Sequence, residues 1–464
     1  MWVYGINLTP TGDPAMAPSI VDAVATIKRG VAECLTAESI HLACRQVGHT
    51  WRERELGPAQ LIWAFLLQVL HGNTACAHVV RLARLSCSAA AYCSARARLP
   101  LAVYQRILQQ TSQAAQQSVR EPLWHGHRTF YVDGSGFSMP DTRELREHFG
   151  QSGAQRAGCG FPVAHLLAMF DAATGLLVQM MAAPLRTHDL AQVANFHPEL
   201  HSGDVLVGDK AFASYVHLAL LLGAKLHGVF RAHQRTLVSF RKDRKLVGNR
   251  PKGTRTTRAT SRLVRKLGRY DQIVEYRKAP QFPSWMTAEQ YATLPATIEV
   301  RELRYWTRQR GFRTRVVTLV TNLLEADLYP LEELAALYGR RWEVETNFAH
   351  LKTTMRMDVL HCQTVQGVLK ELIMFALVYN LARLVMLAAA REQGVCPQRL
   401  SFVDALRWLA AACEHRTKLE LLVNPHRPSR FEPRVKKRRP KQYGLMTQPR
   451  CKLRQQLATK KLPA

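Results

Sequence analysis

The spacing of apolar residues predicts helices in the N-terminal part of the chain. Apolar positions recur every three to four residues in Leu61–Leu70 and in Val79–Leu85, and Ser88–Arg98 is rich in alanine. Residues 1–125 are therefore predicted to form a helical region. The pattern fits a small DNA-binding bundle and a helical cap on a larger core about equally well.

Short apolar and alternating runs replace this spacing from residue 126 onward and predict strands between helices. The predicted elements are strands Thr129–Val132, Val163–Phe170 and Leu176–Ala182, helix Asp189–Phe196, strand Asp204–Val207, helix Phe212–Leu222 and strand Leu226–Phe230. Three strands, a helix, a strand, a helix and a strand is the order of a ribonuclease-H-like α/β fold. Residues 126–230 are therefore predicted to be the first part of such a core.

The next segment, residues 231–325, is predicted to be a basic, β-rich insertion that interrupts this core. Its alternating residues predict strands at Gln272–Tyr276, Ile298–Trp306 and Arg315–Val320.

Helical spacing returns after the insertion. One long helix is predicted from Pro330 to about Met355, and it completes the core within residues 326–395. Further helices are predicted at 366–391 and 401–413. The last predicted segment, residues 396–464, is a C-terminal helical region with a basic tail.

Charge changes the picture of this layout, because the formal net charge is +29. Residues 231–269 contain 14 Lys or Arg and the single acid Asp243, and residues 427–464 contain 13 and the single acid Glu432. Two basic modules therefore flank a nearly neutral scaffold. A charge this concentrated predicts a polyanionic partner, which is most often nucleic acid.

Other features of the composition predict a cytoplasmic protein without a membrane partner. The ten cysteines form no CxxC pair, which argues against a zinc ribbon or a disulfide framework and favours a reducing compartment. No basic segment followed by an apolar run opens the sequence, so no secretory signal is predicted. The most apolar stretch, Leu372–Ala390, contains Asn380 and Arg383, which predicts a buried helix.

The helix after Pro330 has four polar residues on one edge. Tyr338, Arg341, Glu345 and Lys352 are spaced so that, at 3.6 residues per turn, all four fall within about 60° of the helix circumference. Taken alone, this stripe is better explained by a solvated face with local ion pairs.

Two aspartates favour a chemical function for that stripe. Asp133 is predicted to end the first strand, and Asp209 follows the fourth. These strands are neighbours in the predicted fold, so the two carboxylates should lie side by side, where they repel each other unless a cation lies between them. Together with Glu345 they are candidate ligands for Mg²⁺ or Mn²⁺, and two such ions can activate a water or a hydroxyl to attack a phosphodiester.

With these residues identified, the chain resembles DDE transposases of the insertion sequence 4 family. That family is marked by a Tyr-x2-Arg-x3-Glu-x6-Lys motif, which Tyr338, Arg341, Glu345 and Lys352 match without a gap. The contexts Asp133-Gly-Ser-Gly and Gly-Asp209-Lys-Ala-Phe look like the family's two Asp segments. The resemblance covers roughly residues 60–390.

The resemblance implies cut-and-paste transposition, with hydrolysis at the ends of an element, often through a DNA hairpin, and then strand transfer into target DNA. It also implies that the three carboxylates bind metal and that Tyr338, Arg341 and Lys352 contact phosphates near the cut. The partners would be the terminal inverted repeats and the target DNA, bound by a homodimer.

Some candidates are weaker. Lys210 and Arg340 lie near the proposed site in sequence and are candidate phosphate contacts. A Trp in the insertion is implied to stack on a flipped base; Trp306 is the first candidate and Trp285 the second, although a core position is the more common role of a Trp. Four further polar residues are interpreted as structural, with Asp189 as a helix N-cap: Asp141, His165, Asp189 and His350.

Two alternatives to a transposase remain open from the sequence. One is a nuclease of the same fold that cuts DNA without joining it. The other is a DNA-binding protein that has lost catalysis, which the presence of all three carboxylates argues against.

Overall fold

A computed structural model of the chain describes residues 29–52, 55–118, 123–152, 156, 158–187, 189–234, 236–242, 261–307, 315–411, 419–425 and 446–459. The chain divides into two compact units. One comprises Met1–Ser118 and Leu381–Asn424, and the other comprises Val119–Asn380 and Pro425–Ala464. The five segments predicted from the sequence stay a prediction.

The first unit is helical where it is described. Its helices are α1 (Arg29–Glu33), α2 (Ala37–Gln46), α3 (Pro58–Leu70), α4 (Cys76–Leu82), α5 (Ala89–Arg98) and α6 (Leu101–Ser118), followed later in the chain by α14 (Phe402–Ala411). Thr36 and Ser88 begin α2 and α5 as N-caps, because their hydroxyls accept the N–H of the residue three positions on. The helices predicted at α3, α4 and α5 are confirmed.

The second unit begins with five strands and three helices in the predicted order, with one addition. They are β1 (Thr129–Ser138), α7 (Arg143–Phe149), β2 (Val163–Asp171), β3 (Leu177–Pro184), α8 (Asp189–Val193), β4 (Val205–Gly208), α9 (Tyr215–Gly223) and β5 (His227–Arg231). The addition is α7. A 3-10 turn, Ala194–Glu199, continues α8.

Four more strands and a short helix follow in the segment predicted as an insertion. They are β6 (Arg262–Gly268), β7 (Asp271–Arg277), α10 (Ala288–Ala292), β8 (Thr297–Thr307) and β9 (Arg315–Thr321). The three strands predicted there are confirmed, and β6 is new. Residues 243–260 of the first basic module lie outside the described residues, as do residues 427–445 of the second.

The nine strands within the described residues join one sheet in the order β3-β2-β1-β4-β5-β9-β8-β7-β6. The central pairs β1–β4 and β4–β5 are parallel, whereas β1–β2, β2–β3 and β5–β9 are antiparallel. A mixed α/β architecture is therefore confirmed. The strands of the predicted insertion extend the same sheet through the β5–β9 pair.

The helix predicted from Pro330 to Met355 is present but changes its winding. It consists of α11 (Leu331–Gly339), a 3-10 turn (Arg340–Trp342), α12 (Glu343–Ala349) and a π-helical turn (His350–Thr354). A π turn adds a residue to the helical repeat and therefore rotates the residues that follow it, here Lys352 and its neighbours. The assumption of a uniform 3.6-residue helix was wrong for this part of the motif.

The most apolar helix, α13 (Val365–Gln393), is long and apolar enough to cross a membrane by length and composition. Of its most apolar stretch, 94% is buried inside the protein, as in the core helix of a folded domain. Asn380 and Arg383 are buried with it. The predicted buried helix is confirmed. A last helix, α15 (Arg450–Thr459), lies near the C-terminus.

One face of the sheet packs on a hydrophobic core, and the opposite face meets α11. Phe130 and Val132 of β1 belong to the core cluster, with Leu218 of α9. Because side chains alternate along a strand, Tyr131 and Asp133 lie on the other face. There the Tyr131 hydroxyl donates to the Leu337 carbonyl at 3.5 Å. The core thus fixes which face of β1 carries Asp133.

Candidate active site

The two aspartates follow paired residues of adjacent parallel strands. Val132 of β1 lies opposite Gly208 of β4, so Asp133 and Asp209 come next on each strand. The Asp133 carboxylate accepts the Gly134 N–H at 2.9 Å, and Asp209 accepts the Ala211 N–H at 2.7 Å. The predicted side-by-side placement follows from this register.

One detail of the prediction was wrong, because Asp133 does not end β1. The strand continues to Ser138, since β2 pairs with it along its whole length. The pairing with β4, in contrast, stops at Val132. Asp133 therefore lies where the strand loses its parallel neighbour, and this supplies the opening that a strand end was expected to supply.

The environment of Asp133 disfavours its charged form. Burial is the main cause of the raised pKa of this carboxyl, and the charges of Asp209 and Asp189 raise it further. The Gly134 N–H and the Arg341 guanidinium act in the opposite direction. A cation between the aspartates would relieve this repulsion.

Arg341 reaches two of the three carboxylates. Its Nη1 donates to Asp133 Oδ2 at 3.0 Å, and its Nη2 lies 3.8 Å from Glu345 Oε1. The guanidinium is buried, and its Nε has no hydrogen-bond partner among the described residues. The Arg341 guanidinium thus places a positive charge between Asp133 of β1 and Glu345 of α12.

Tyr338 lies beside Arg341 and close to Arg231 and Tyr305, two residues that were not predicted from the sequence. Burial raises the pKa of the Tyr338 phenol, while the charges of Arg341 and Arg231 lower it. Burial, with Tyr338 next, raises the pKa of the Tyr305 phenol to about 12. Arg231 ends β5, next to β4, so the same strand-end argument that identified Asp209 could have identified Arg231.

The remaining motif residue, Lys352, lies on the π turn and contacts β1. Its Nζ donates to Ser135 Oγ at 2.8 Å and lies 4.6 Å from the centre of the Phe137 ring. The structure therefore brings two residues of the Tyr-Arg-Glu-Lys motif to β1, with Arg341 at Asp133 and Lys352 at Ser135 two residues on.

The two weaker phosphate candidates have partners of their own. Lys210 Nζ donates to Gln234 Oε1 at 3.2 Å. Arg340 donates to Glu343 Oε1 at 3.0 Å and to the Ala172 carbonyl at 3.0 Å. Neither contact involves one of the three carboxylates.

The aromatic candidates differ in exposure. Trp306 is 40% exposed and helps to line a cavity of about 550 Å³ with Tyr270, Arg304 and Tyr305. Trp285, in contrast, packs against the hydrophobic core. A further exposed Trp, residue 342, lies in the motif itself, with its ring 5.6 Å from the Arg341 guanidinium.

Three of the four residues interpreted as structural, Asp141, His165 and Asp189, have contacts with other side chains. The buried Asp141 carboxylate pairs with Arg146 at 2.9 Å. Asp189 begins α8, but its carboxylate pairs with the His165 ring, a contact that the N-cap prediction did not anticipate. That pair packs closely on Gly134, where an added Cβ would lie 2.8 Å from His165 Nε2.

Three carboxylates of this kind suit a hard divalent cation by their chemistry. Among the described residues, no group of three or more His, Cys, Asp or Glu side chains is close enough to hold one. The charge of Asp209 raises the pKa of Asp133, so a cation beside the two aspartates would favour their charged forms. Glu345 is half-exposed, and it would have to leave Arg341 to join them.

Comparisons with known proteins identify the family. A family model described as the transposase DDE domain matches residues 124–381, more than half of the chain. The transposase InsG of insertion sequence element IS4 from Escherichia coli (strain K12) is 24% identical over 420 residues, which cover 85% of this chain and 88% of InsG. The putative transposase InsZ of the same organism is 27% identical over 196 residues, which cover 39% of this chain and 64% of InsZ.

Among solved structures, a cryo-EM structure of a piggyBac transposase synaptic complex with hairpin DNA is similar at a TM-score of 0.43 and 12% identity. The match covers 86% of this chain and 80% of that chain. A TM-score this low does not establish a shared fold. The match of the family model over more than half of the chain shows that the chain belongs to the DDE transposases and is a transposase enzyme, and the match to InsG supports the insertion sequence 4 type.

Proposed function

We propose that this transposase moves an insertion sequence by cut-and-paste chemistry at a site built from Asp133, Asp209 and Glu345. The observation that carries the proposal is the position of Arg341, which connects Asp133 of β1 with Glu345 of α12 where β1 loses its parallel neighbour. The reaction would hydrolyse the phosphodiester at each element end, with or without a hairpin, and transfer the freed strand to target DNA.

DDE transposases generally use divalent metal ions, and we assign that role to Mg²⁺ or Mn²⁺ at the three carboxylates, with two ions. Bound there, the metal would activate the attacking hydroxyl and stabilise the departing oxygen. The chain itself would supply the ligands: the register of β1 with β4 supports the placement of the two aspartates, and α12 would supply the glutamate.

The basic and phenolic residues around the carboxylates would bind the DNA backbone. Arg341 suits this role because its planar fork can grip one phosphate through two hydrogen bonds. Tyr338 and Lys352 would contact neighbouring phosphates, with Lys210 and Arg340 at the edge of the site. Trp306 would stack on an unpaired base in the cavity beside Tyr270, a position supported by its exposure.

The strand order β3-β2-β1-β4-β5 supports a ribonuclease-H-like core. We propose that residues 126–230 and 326–395 form it and that residues 231–325 are an insertion whose strands extend its sheet. Residues 1–125 would be a helical DNA-binding region, and residues 396–464 a C-terminal helical region with a basic tail.

The partners would be double-stranded DNA, as the terminal inverted repeats and the target. Transposition brings two element ends together, so we propose a homodimer on DNA. The chain would work in the bacterial cytoplasm at the nucleoid, without a membrane partner.

The test is cleavage of element-end DNA in Mg²⁺ or Mn²⁺ by Asp133→Asn, Asp209→Asn and Glu345→Gln. Each should lose cleavage and strand transfer by at least about 1000-fold and keep DNA binding, because a lost ligand removes metal rather than backbone contacts. Glu343→Gln is the matched control, since Glu343 lies on the same helix and pairs with Arg340. It should remain active.

Two results would contradict the proposal. Cleavage by all three variants would show that the carboxylates are misassigned. If the unmodified chain cleaved element ends but did not transfer precut ends, its activity would be that of a nuclease that cuts DNA without joining it.

A further inference from the structure

The second half of β1, from Asp133 to Ser138, has polar side chains that contact the helix of the motif. Because alternate residues of a strand share a face, Asp133, Ser135 and Phe137 point to the same side, about 7 Å apart from one to the next. The pairing of β1 with β4 ends at Val132, so all three lie beyond the end of β4. Ser135 is therefore the next side chain after Asp133 along the open part of the strand.

Lys352 reaches this part of β1 from the π turn. Its ammonium donates to Ser135 Oγ at 2.8 Å, and the Phe137 ring lies 4.6 Å from it. Burial lowers the pKa of Lys352. A half-buried ammonium with three donors needs acceptors at fixed positions, and Ser135 supplies one of them from the rigid strand.

We propose that Ser135 is a positioning residue that holds the Lys352 ammonium in place to receive a DNA phosphate next to Asp133. The inference rests on the proposed role of Lys352 as a phosphate contact. Ser135 itself acts through the lysine. The hydroxyl accepts one ammonium N–H, and the remaining N–H groups stay directed at the substrate.

The need for such a residue follows from the side chain of lysine. Its four-carbon stem is flexible and its charge is compact, so the stem alone fixes the ammonium poorly. The π turn sets where the stem begins, and Ser135 sets where it ends. A threonine at position 135 would keep the hydroxyl and is well tolerated in strands, whereas an alanine would remove only the acceptor.

The experiment is a double-mutant cycle on the full-length transposase with Ser135→Ala, Lys352→Gln and the combination. It measures the single-turnover rate of end cleavage in Mg²⁺, with KM determined separately. Ser135→Ala should slow cleavage about 10-fold, as expected for loss of a hydrogen bond to a charged group. In the Lys352→Gln background the same change should alter the rate less than about 2-fold.

Two further variants separate positioning from a structural effect. Ser135→Thr should restore most of the rate lost in Ser135→Ala. Ser138→Ala should leave the rate unchanged, because Ser138 ends the same strand with an exposed side chain. If Ser135→Ala disturbed β1 as a whole, it would also slow cleavage in the Lys352→Gln background, and Ser135→Thr would not restore the rate.

The outcomes distinguish this inference from the proposed function. If Lys352→Gln slows cleavage and Ser135→Ala does not, the positioning role is overturned while the phosphate role of Lys352 stands. The same holds if the two effects multiply in the combined variant. If Lys352→Gln leaves cleavage unchanged, the phosphate role fails and the inference fails with it.

Discussion

At the scale of single residues, the half-buried His197 and the buried His217 of the second unit are joined by a hydrogen bond between their rings. His217 Nδ1 lies 2.9 Å from the Phe212 carbonyl and donates to it, so His217 Nε2 accepts from His197 Nε2 at 3.2 Å. Both rings are neutral in this arrangement. Burial lowers the pKa of His197 to about 4, and burial with the neighbouring ring lowers that of His217 to about 3.

This pair predicts a loss of stability in mild acid. The folded-state pKa values lie below the unfolded value of about 6.5, so the unfolded chain binds more protons below that pH. The contribution of the two neutral histidines to the free energy of unfolding should be fully present above pH 6.5. It should fall as the pH drops from 6.5 to about 4, by up to about 1.4 kcal/mol per pH unit for each histidine.

The measurement is the apparent Tm across pH 4–8 for the chain and for His197→Phe. The variant should lose less Tm between pH 6.5 and 4.5 than the unmodified chain does. The exposed His201, changed to Gln, serves as control and should leave the pH profile as it is. Parallel profiles for His197→Phe and the unmodified chain would contradict the prediction.

The candidate active-site residues show how much of the site could be predicted from the sequence at this scale. The motif spacing identified Tyr338, Arg341, Glu345 and Lys352, because spacing is a property of one helix. It could not predict that Arg341 contacts Asp133 or that Lys352 contacts Ser135, since these contacts join residues 208 and 217 positions apart. They depend on the packing of the helix on β1, which sequence spacing does not encode.

At the scale of elements, Gly208 shapes the turn that presents Asp209. A Cβ at Gly208 would lie 2.6 Å from the Phe212 ring, because that ring folds back under the end of β4. The two ends of the Gly-Asp-Lys-Ala-Phe segment therefore depend on each other, because the missing side chain at Gly208 makes room for the Phe212 ring.

Gly208→Ala should therefore displace the turn and lower cleavage, at a cost in stability of about 1–3 kcal/mol typical of overpacking. Cleavage rate and Tm are the readouts. Adding Phe212→Leu should restore part of both, because it removes the ring that the new methyl would meet.

Gly223→Ala is the matched control for this substitution. Gly223 ends α9 and has no atom within 4 Å of its added Cβ, so alanine there should be tolerated. Equal losses in the two variants would mean that the contact with Phe212 is not what restricts position 208.

The predicted elements succeeded where alternation or helical spacing was strong and failed where charge masked it. The strands from β1 to β5 are largely apolar, and all were predicted. In contrast, β6 is the last strand of the sheet and carries Arg262, Arg265 and Lys266, so its composition resembled a basic loop. An edge strand tolerates such residues because only one of its sides is paired.

At the scale of the whole molecule, the net charge of +29 dominates the expected behaviour toward DNA. Each phosphate neutralised by a Lys or Arg releases counterions, so the logarithm of the binding constant should fall steeply with the logarithm of salt concentration. A shallow slope for the unmodified chain would count against direct phosphate contact by the basic modules.

The C-terminal module offers a specific test of this charge effect. Changing residues 436–439, Lys-Lys-Arg-Arg, to Gln should reduce the magnitude of the slope by up to about 3–4, because each contact contributes about 0.9. Cleavage of saturating DNA should change little. The slope is measured by fluorescence anisotropy between about 50 and 300 mM salt, with Glu345→Gln as a control that leaves it unchanged.

The contact between Arg341 and Asp133 implies an order in which the substrate and the ion enter. The contact joins opposite charges, so an anion that competes for the guanidinium can draw it from the carboxylate. A DNA phosphate is such an anion. Once a phosphate takes Arg341, Asp133 and Glu345 would be free to receive the proposed divalent ion. Each ligand would then strengthen the binding of the other by the same factor, so the enzyme would load its metal chiefly when an element end is already bound.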